Sequence, residues 1–246
     1  MSMPLVNMIK ISKRFGAIKA LDKVDFSVNR QEIVGLVGDN GAGKSTLIKI
    51  LSGVYSPDEG EIYFEGKRVT FKSPLDAKRF GIETVYQDLA LAEHLNVWRN
   101  FFLNREITKK VGLIKLLDHK TMRDKTKEAL RRFEILLDSI DKPVSLLSGG
   151  ERQTVSVARS FYFGAKLLIL DEPVAALSIK ETLKVLDAIK RIKEQGLSVI
   201  FITHNLYHIY PVADRIVVLS RGRKIADIPK HETTIEEISE LIVKGK

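Results

Sequence analysis

An apolar run followed at once by a glycine-rich turn decides the fold of this chain. Residues 33–37 read Ile33-Val34-Gly35-Leu36-Val37, and residues 38–45 read Gly38-Asp39-Asn40-Gly41-Ala42-Gly43-Lys44-Ser45. The first stretch is typical of a strand that is buried on both faces. The second fits the pattern G-x-x-x-x-G-K-[ST], and residues 44–51 after it are predicted to be a helix. Strand, turn and helix in this order predict a phosphate-binding loop in an α/β protein.

The residue types in the loop fit the phosphates of a nucleotide. Glycines let the backbone curl until its N–H groups converge on phosphate oxygens, and the helix N-terminus adds partial positive charge. We expect Lys44 to reach the β- and γ-phosphates and the Ser45 hydroxyl to bind Mg²⁺. The residues predicted to contact nucleotide here are Gly38, Asn40, Gly41, Ala42, Gly43, Lys44, Ser45 and Thr46. A chance glycine-rich turn is the alternative, and the loop alone does not separate kinases, GTPases, helicases and transport ATPases.

The pattern on either side of the loop predicts strands that alternate with helices, interrupted by a helical insertion. Strands are predicted at residues 6–11, 24–28, 33–37, 167–170, 198–203 and 216–219, with a hairpin over 61–71 that turns at Gly66. The first two strands lie on either side of a turn predicted at Phe15-Gly16. A helix is predicted between the strands 167–170 and 198–203, with Gly196 as its C-cap glycine. Its apolar stripe, with spacings of three and four residues, consists of Ile179, Leu183, Leu186, Ile189 and Ile192. From about residue 87 to 163 the pattern is helical. We expect a nucleotide-binding core (residues 1–86 and 164–246), with a mostly parallel sheet, and a helical lobe (87–163).

Composition narrows the class of protein. The chain has 246 residues, 44% of them hydrophobic and 29% charged, and it contains no cysteine. The hydrophobic and charged fractions are those of a soluble globular protein. The absence of cysteine excludes disulfides and cysteine-ligated zinc. No segment approaches the ~20 apolar residues that span a bilayer, and the N-terminus lacks the apolar run of a signal peptide. We therefore expect a cytosolic chain that works at a membrane only through other subunits.

Positive charge is concentrated in one segment. The net charge is +9, and residues 105–132 hold ten Lys or Arg against four Asp or Glu. A solvated helical face is the plain interpretation, and attraction to the acidic cytoplasmic leaflet of a membrane is a functional one. Nucleic acid fits less well, because no aromatic residues alternate with the charges as they do in a stacking groove.

Four further motifs resemble those of the ABC-type ATPases. Leu147-Ser148-Gly149-Gly150-Glu151 looks like their signature sequence, and residues 167–173, which end in Asp171-Glu172-Pro173, look like their Walker B strand. Gln87 stands where that family carries its Q-loop, and His204 resembles its switch histidine. All the motifs occur in the order and spacing of the family, over about residues 5 to 240. The resemblance implies the P-loop NTPase fold of ABC ATPases, with an antiparallel N-terminal β-subdomain.

Asp171 and Glu172 are adjacent carboxylates at the end of a predicted buried strand, and α/β proteins commonly have their functional residues at such strand ends. Side chains of neighbouring strand residues point in different directions, so Asp171 can hold Mg²⁺ through water while Glu172 polarises the attacking water. A structural ion pair is the alternative. The resemblance adds Gln87 as a Mg²⁺ ligand, and His204 as a donor to the γ-phosphate that also positions Glu172. The predicted catalytic residues are thus Lys44, Gln87, Glu172 and His204, and the predicted metal ligands are Ser45, Gln87 and Asp171.

The signature segment has both a structural and a functional interpretation. Ser148 and Glu151 form the pattern of a capping box, so Ser148 could simply begin a helix. Two glycines after a cap weaken a helix unless a ligand must approach its backbone. The resemblance supplies that ligand, since residues 148–151 would bind the ATP held by a second copy of the chain. It also implies that Phe15 stacks on adenine, and the alternative for Phe15 is a core aromatic.

Other stretches resemble the single-domain ATPases of fructose- and ribose-type sugar importers. The similar segments are residues 49–60, 73–77, 81–82, 85–89 and 175–181. Ser178 departs from the aspartate that most ABC ATPases carry there, although a serine caps the next helix equally well with Glu181. Val174 stands where a small hydroxyl residue is usual. The implied partners are ATP, a second copy, transmembrane permease subunits and a sugar-binding protein, and not nucleic acid.

These features predict an ATPase at the inner face of the cell membrane that powers the import of a carbohydrate. A soluble ABC ATPase that acts on nucleic acid or the ribosome is the alternative, but such proteins usually carry long coiled-coil insertions or two cassettes. A regulatory module that binds ATP without turnover is a third possibility, and Glu172 and His204 argue against it.

Overall fold

The computed structural model describes residues 3–86, 89–132, 134–135 and 137–245. Its strands are β1 (Val6–Phe15), β2 (Ile18–Val28), β3 (Ile33–Val37), β4 (Glu59–Phe64), β5 (Lys67–Val69), β6 (Ile82–Val85), β7 (Thr108–Val111), β8 (Ile114–Leu117), β9 (Leu167–Asp171), β10 (Ser198–Ile202), β11 (Arg215–Ser220) and β12 (Arg223–Pro229). Its helices are α1 (Lys44–Leu51), α2 (Pro74–Arg79), α3 (Val97–Phe101), α4 (His119–Arg132), α5 (Gly149–Tyr162), α6 (Ile179–Glu194), α7 (Leu206–Ile209) and α8 (Ile235–Lys244).

A six-stranded sheet forms the centre of the protein, in the order β12-β11-β3-β10-β9-β6. Strands β11, β3, β10, β9 and β6 run parallel, and β12 closes one edge antiparallel to β11. Every residue of β3 and β10 is buried, because helices and the second sheet cover both faces. The four apolar runs at residues 33–37, 167–170, 198–203 and 216–219 are therefore confirmed as buried parallel strands.

A second, antiparallel sheet has the order β2-β1-β4-β5. Its turn at Gly16 and its hairpin at Gly66 are where the sequence predicts them, and both glycines have the positive φ that such tight turns favour. Apolar residues from this sheet share one buried cluster with α1 and with β3. The antiparallel N-terminal β-subdomain is confirmed, and its packing fixes α1 behind the glycine-rich loop.

The chain between β6 and β9, which we call the lobe, contains α3, α4 and α5. Buried aromatic side chains of this segment, such as Trp98 and Phe101, belong to the same core cluster as residues of the central sheet. The prediction that this whole region is helical is wrong at one place, because β7 and β8 form a two-stranded hairpin inside it. Gly112, at φ 63°, allows the tight turn between the strands, and the flanking residues lack an apolar stripe of helical period. The basic segment 105–132 is thus partly a hairpin and partly α4.

Helix α6 follows the prediction at its C-terminal end but not at its start. Ile189 and Ile192 are buried against the sheet, and Gly196, at φ 101°, follows the last turn. Ile179 and Leu183 belong to the same predicted apolar stripe, yet they are 84% and 63% exposed. Val174, for which the sequence offers no reason, is buried in the core of the lobe and sheet.

No helix within the described residues is long and apolar enough to cross a bilayer.

Candidate functional site

The glycine-rich loop leaves β3 and ends at the first turn of α1. Gly38 has a φ of 145°, and a Cβ there would lie 2.2 Å from the backbone oxygen of Leu219 on β11. Gly43 is the N-cap of α1 with a φ of 103°, and it has no side chain with which to cap the helix. The close approach to β11 fixes the loop at the carboxyl end of the sheet. The uncapped first turn of α1 offers its N–H groups to an anion.

Lys44 is held inside this loop rather than in solvent. It is 8% exposed, and its Nζ donates hydrogen bonds to the backbone oxygens of Gly38 (2.6 Å) and Asp39 (2.9 Å). Burial lowers the pKa of Lys44, while the negative charges of Glu172 and Asp171 partly oppose that shift. The ammonium group thus sits between the loop carbonyls and the carboxylates at the end of β9, where it can receive phosphate oxygens.

Asp171 is the last residue of β9 and pairs in register with Ile202 of β10. Burial raises the pKa of its carboxyl group, and the negative charge of Glu172 raises it further. Within the described part of the chain, no hydrogen bond or ion pair is made by this carboxylate. Asp171 is therefore a partly buried carboxylate on which the charges of Lys44 and Lys49 act through space, opposing the rise in its pKa.

The Asp171 carboxylate and the Ser45 hydroxyl supply oxygen ligands of the kind that Mg²⁺ prefers. In the described residues, no group of three or more His, Cys, Asp or Glu side chains comes together. Mg²⁺ is usually bound by one or two protein oxygens together with substrate phosphates, so this sparse donor set fits an ion that arrives with a nucleotide.

Glu172 is the centre of a hydrogen-bond network directly after β9. Its φ of 50° turns the chain out of the strand, so that its side chain leaves the sheet in a different direction from Asp171. Oε1 accepts from Nδ1 (2.6 Å) and from the backbone N–H (3.0 Å) of His204. Oε2 accepts from the Thr203 hydroxyl at 2.9 Å. Three donors from the end of β10 thus fix one carboxylate at the edge where the glycine-rich loop ends.

The sequence model of the family described as ABC transporter matches residues 21–175 of this chain. The chain belongs to the ABC transporter family. It is 50% identical, over 97% of its length and 93% of the relative, to the xylose/arabinose import ATP-binding protein XylG of Sulfolobus acidocaldarius. It is 42% identical, over 95% of its length and 92% of the relative, to the fructose import ATP-binding protein FrcA of Rhizobium meliloti.

A solved structure supports the same assignment. The ADP conformation of MJ1267, an ATP-binding cassette of an ABC transporter, is 26% identical and superposes with a TM-score of 0.81, covering 98% of this chain and 96% of that one. The expected ABC-ATPase fold is therefore confirmed, and the chain is an ATPase of this family.

The ABC signature, residues 147–151, begins α5 with the expected capping box. The Ser148 N–H donates to Glu151 Oε2 (2.8 Å), and the Glu151 N–H donates to Ser148 Oγ (3.2 Å). The two signature glycines are packed against the chain itself. A Cβ on Gly149 would lie 2.7 Å from Leu177 Cδ2, and one on Gly150 would lie 2.9 Å from Glu181 Cβ.

This packing gives a physical reason for both glycines that needs no ligand, because it lets α5 approach the start of α6 closely. The glycines therefore no longer argue by themselves for a bound phosphate. The role of residues 148–151 toward the ATP of a second copy stays a prediction.

Phe15 ends β1 and is 42% exposed, so it is not the core aromatic of the alternative interpretation. Its ring meets Tyr55 edge to face, with centroids 5.2 Å apart. The same hairpin approaches the loop, since a Cβ on Gly43 would lie 2.8 Å from the backbone oxygen of Ala20. An exposed ring beside the loop is what stacking on a nucleobase requires.

The structure brings some of the predicted site residues together and leaves others apart. Lys44, Asp171, Glu172 and His204 meet at one edge of the central sheet. The hydrogen bonds of the signature, 148–151, run within α5 and to Glu181. Gln87 lies outside the described residues.

Two residues at the site were not predicted from the sequence. Thr203 donates to Glu172, and its position directly before His204 at the end of a buried strand is a signal that could have indicated it. Glu181 was interpreted only as part of a cap. Its carboxylate also accepts the Gly150 N–H at 3.3 Å, and this contact depends on how two helices pack rather than on any local pattern.

Proposed function

We propose that this chain hydrolyses MgATP at sites shared between two copies and so powers the import of a sugar through separate membrane subunits. The observation that carries the hydrolytic part is the Glu172 carboxylate, held by three donors beside the buried Lys44. A positioned carboxylate next to a phosphate-binding cation fits the deprotonation of water in line with a γ-phosphate.

In this proposal the loop amides and Lys44 bind the β- and γ-phosphates, and Phe15 stacks on adenine. Glu172 orients the attacking water and accepts its proton as the bond from the γ-phosphorus to the β–γ bridging oxygen breaks. Asp171 and Ser45 would hold Mg²⁺, with Gln87 as a third ligand, and the ion would neutralise charge on the β- and γ-phosphates.

His204 would serve two groups at once. Nδ1 faces Glu172 at 2.6 Å, so that nitrogen donates its proton to the carboxylate. A hydrogen bond to a γ-phosphate oxygen would then come from Nε2. Because a neutral imidazole has only one N–H, the two roles together need the cationic ring. The side chain is 66% exposed, which leaves room for a phosphate to approach it.

The second copy supplies the other half of each site. Residues 148–151 would contact the γ-phosphate held by the loop of the partner, in a head-to-tail pair. The exposed apolar side chains Ile179, Leu183 and Tyr207 border a cleft of about 550 Å³ next to Leu177, and exposed apolar clusters of this kind commonly mark protein interfaces. Because these side chains lie beside the signature, we infer that the second copy covers them in the pair.

The names of the relatives support the import of a sugar. Both curated relatives are import ATP-binding proteins, one for xylose and arabinose and the other for fructose. We therefore propose a monosaccharide as cargo, a permease and a sugar-binding protein as partners, and a peripheral position on the cytoplasmic face of the membrane. Core residues 1–86 and 164–246 would bind nucleotide, and the lobe 87–163 would pass the motion to the permease.

The test compares purified wild type with Glu172→Gln and Lys44→Ala. Glu172→Gln should bind ATP and form a stable dimer in gel filtration, while its turnover falls by about 10² to 10⁴. Lys44→Ala should lose affinity for MgATP itself. Equal turnover in wild type and Glu172→Gln would refute the role of Glu172, and normal nucleotide binding by Lys44→Ala would refute that of the loop. Isolation of a permease with the chain from native membranes tests the transport part.

A further inference from the structure

The hairpin formed by β7 and β8 projects from the lobe with both of its faces in solvent. All eight strand residues are exposed, and Leu113 in the turn is fully exposed at 106%. Its base is tied to the lobe, since the Asp118 N–H donates to the backbone oxygen of Ile107 at 2.8 Å and the Ile107 N–H contacts the sulfur of the buried Met122. A two-stranded hairpin with no covered face is marginally stable in water, so this arm needs a second surface.

The register of the hairpin separates its side chains into two faces. The cross-strand pairs are Thr108 with Leu117, Lys109 with Leu116, Lys110 with Lys115 and Val111 with Ile114. Since partners share a face and successive residues alternate, Val111, Ile114 and Leu116 lie on one face with Lys109. Lys110 and Lys115 lie opposite each other on the other face. Leu113 extends beyond both faces at the tip.

The charges of the hairpin are unbalanced. Residues 107–117 contain three lysines and no Asp or Glu. Lys110 and Lys115 are directly opposed like charges, an arrangement that destabilises a strand pair, and neither makes an ion pair within the described part of the chain. An external anion would relieve this repulsion.

We propose that this hairpin binds the surface of an anionic bilayer, with Leu113 and the apolar face at the level of the lipid headgroups and the lysines on lipid phosphates. A bilayer interface takes apolar side chains and lysine ammonium groups together, and it needs no groove of matching shape. Nucleic acid would satisfy the lysines but not the five exposed aliphatic side chains, and residues 107–117 hold no aromatic ring for stacking. The inference rests on the proposed function, in that pairing with a permease would bring the hairpin to a membrane.

Sedimentation of the full chain with vesicles tests the proposal. We expect binding to phosphatidylcholine vesicles that contain a third of phosphatidylglycerol, little binding to phosphatidylcholine alone, and a loss of binding as salt rises. Each lysine near an anionic surface contributes roughly fivefold to partitioning, so Lys110→Glu/Lys115→Glu should lower it by at least about tenfold. The matched control, Lys67→Glu/Lys127→Glu, changes the net charge equally at exposed positions outside the hairpin and should keep most of the binding.

A second readout locates the tip. The chain has no cysteine, so Leu113→Cys can be labelled alone with an environment-sensitive fluorophore. Its emission should shift to the blue on addition of anionic vesicles, while the same label at Leu75→Cys, another exposed leucine, should not respond. Each hairpin variant should also keep the vesicle-free ATPase activity, and that assay separates a failure of this proposal from a failure of the proposed function.

Three results would overturn the proposal: equal vesicle binding by wild type and the hairpin variant, no preference for anionic lipid, or an unchanged emission from position 113. Salt-sensitive binding to duplex DNA that only the hairpin substitutions abolish, without vesicle binding, would assign the arm to nucleic acid instead.

Discussion

The carboxylate of Glu181, in the first turn of α6, accepts a hydrogen bond from the backbone N–H of Gly150, in the first turn of α5, at 3.3 Å. The same carboxylate accepts from the N–H (3.1 Å) and the hydroxyl (2.8 Å) of Ser178. These hydrogen bonds, with one from Ser148, lower the pKa of Glu181 to about 2. One side chain therefore links the N-terminus of the signature helix to the segment that follows Glu172.

This link predicts a dependence of stability on pH that Glu181→Gln removes. A carboxylate with a lowered pKa contributes stability fully above its usual value near 4.5, and this contribution is lost as the pH falls toward about 2. The melting temperature of Glu181→Gln should thus lie below that of wild type at pH 7, and the difference should shrink below pH 4.5.

The matched control is Glu237→Gln, because Glu237 completes the same capping box in α8 and, among the described residues, makes no hydrogen bond or ion pair to another helix. It should cost stability but leave ATP turnover unchanged, whereas Glu181→Gln should also reduce turnover. Equal turnover in the two variants would show that Glu181 is only a helix cap.

A double-mutant cycle can show whether the signature glycine Gly149 is needed for helix packing or for the approach of a ligand. Gly149→Ala places a Cβ 2.7 Å from Leu177 Cδ2, and overpacking of this kind costs about 1–3 kcal/mol. Leu177→Ala removes that contact. Thermal denaturation should therefore find Gly149→Ala/Leu177→Ala more stable than the sum of the single changes predicts.

ATP turnover of the double variant separates the two roles. Recovery of turnover together with stability assigns Gly149 to packing alone. Recovery of stability with turnover still low leaves the approach of a phosphate to this backbone as the reason for the glycine.

The sequence predicts β3, β9, β10 and β11 of the central sheet because these strands are continuous apolar runs, and only a sheet covered on both faces buries such runs completely. It misses β7 and β8, whose four-residue strands carry lysines and no apolar face toward the core. It also misses the two edge strands of the central sheet, β6, whose short run is interrupted by Glu83 and Thr84, and β12, which has alternating exposure. Edge and isolated strands lack the burial that makes central strands recognisable.

The residues of the candidate site also differ in whether the sequence could predict them. Lys44, Asp171, Glu172 and His204 could be predicted because each sits in the loop or directly at the end of a parallel strand, and those ends meet at one edge. The bond from Glu181 to Gly150 could not, since it depends on the distance between α5 and α6. The exposure of Ile179 could not be predicted either, because helical spacing identifies a stripe and does not show where the core ends.

Thr203 provides a test of how Glu172 is held. Thr203→Val keeps the shape of the side chain and removes the hydroxyl that donates to Glu172 Oε2 at 2.9 Å. We expect turnover to fall by roughly tenfold, since a net hydrogen bond to a charged group is worth about 1.5–3 kcal/mol and two donors from His204 remain. Affinity for ATP should stay near that of wild type. Thr203→Ser, which retains the hydroxyl, is the control, and an equal loss in both variants would place the effect in packing.

We expect Asp171 to lower the stability of the nucleotide-free protein and to support Mg²⁺-dependent ATP turnover. Burial and the charge of Glu172 raise the pKa of Asp171 above its usual value of 3.8. Ionisation of Asp171 therefore lowers the stability of the folded protein, and this loss of stability grows as the pH rises above 3.8. Asp171→Asn removes that charge at similar volume. The nucleotide-free variant should therefore melt above wild type at pH 7, by roughly 2–4 °C for each kcal/mol relieved in a chain of this size, and the gain should vanish toward pH 4. Its Mg²⁺-dependent ATP turnover should fall at the same time, because a neutral amide is a weaker ligand for a divalent ion. A melting temperature below that of wild type would mean that Asp171 is a structural partner of Lys44 rather than an anion kept available for a metal.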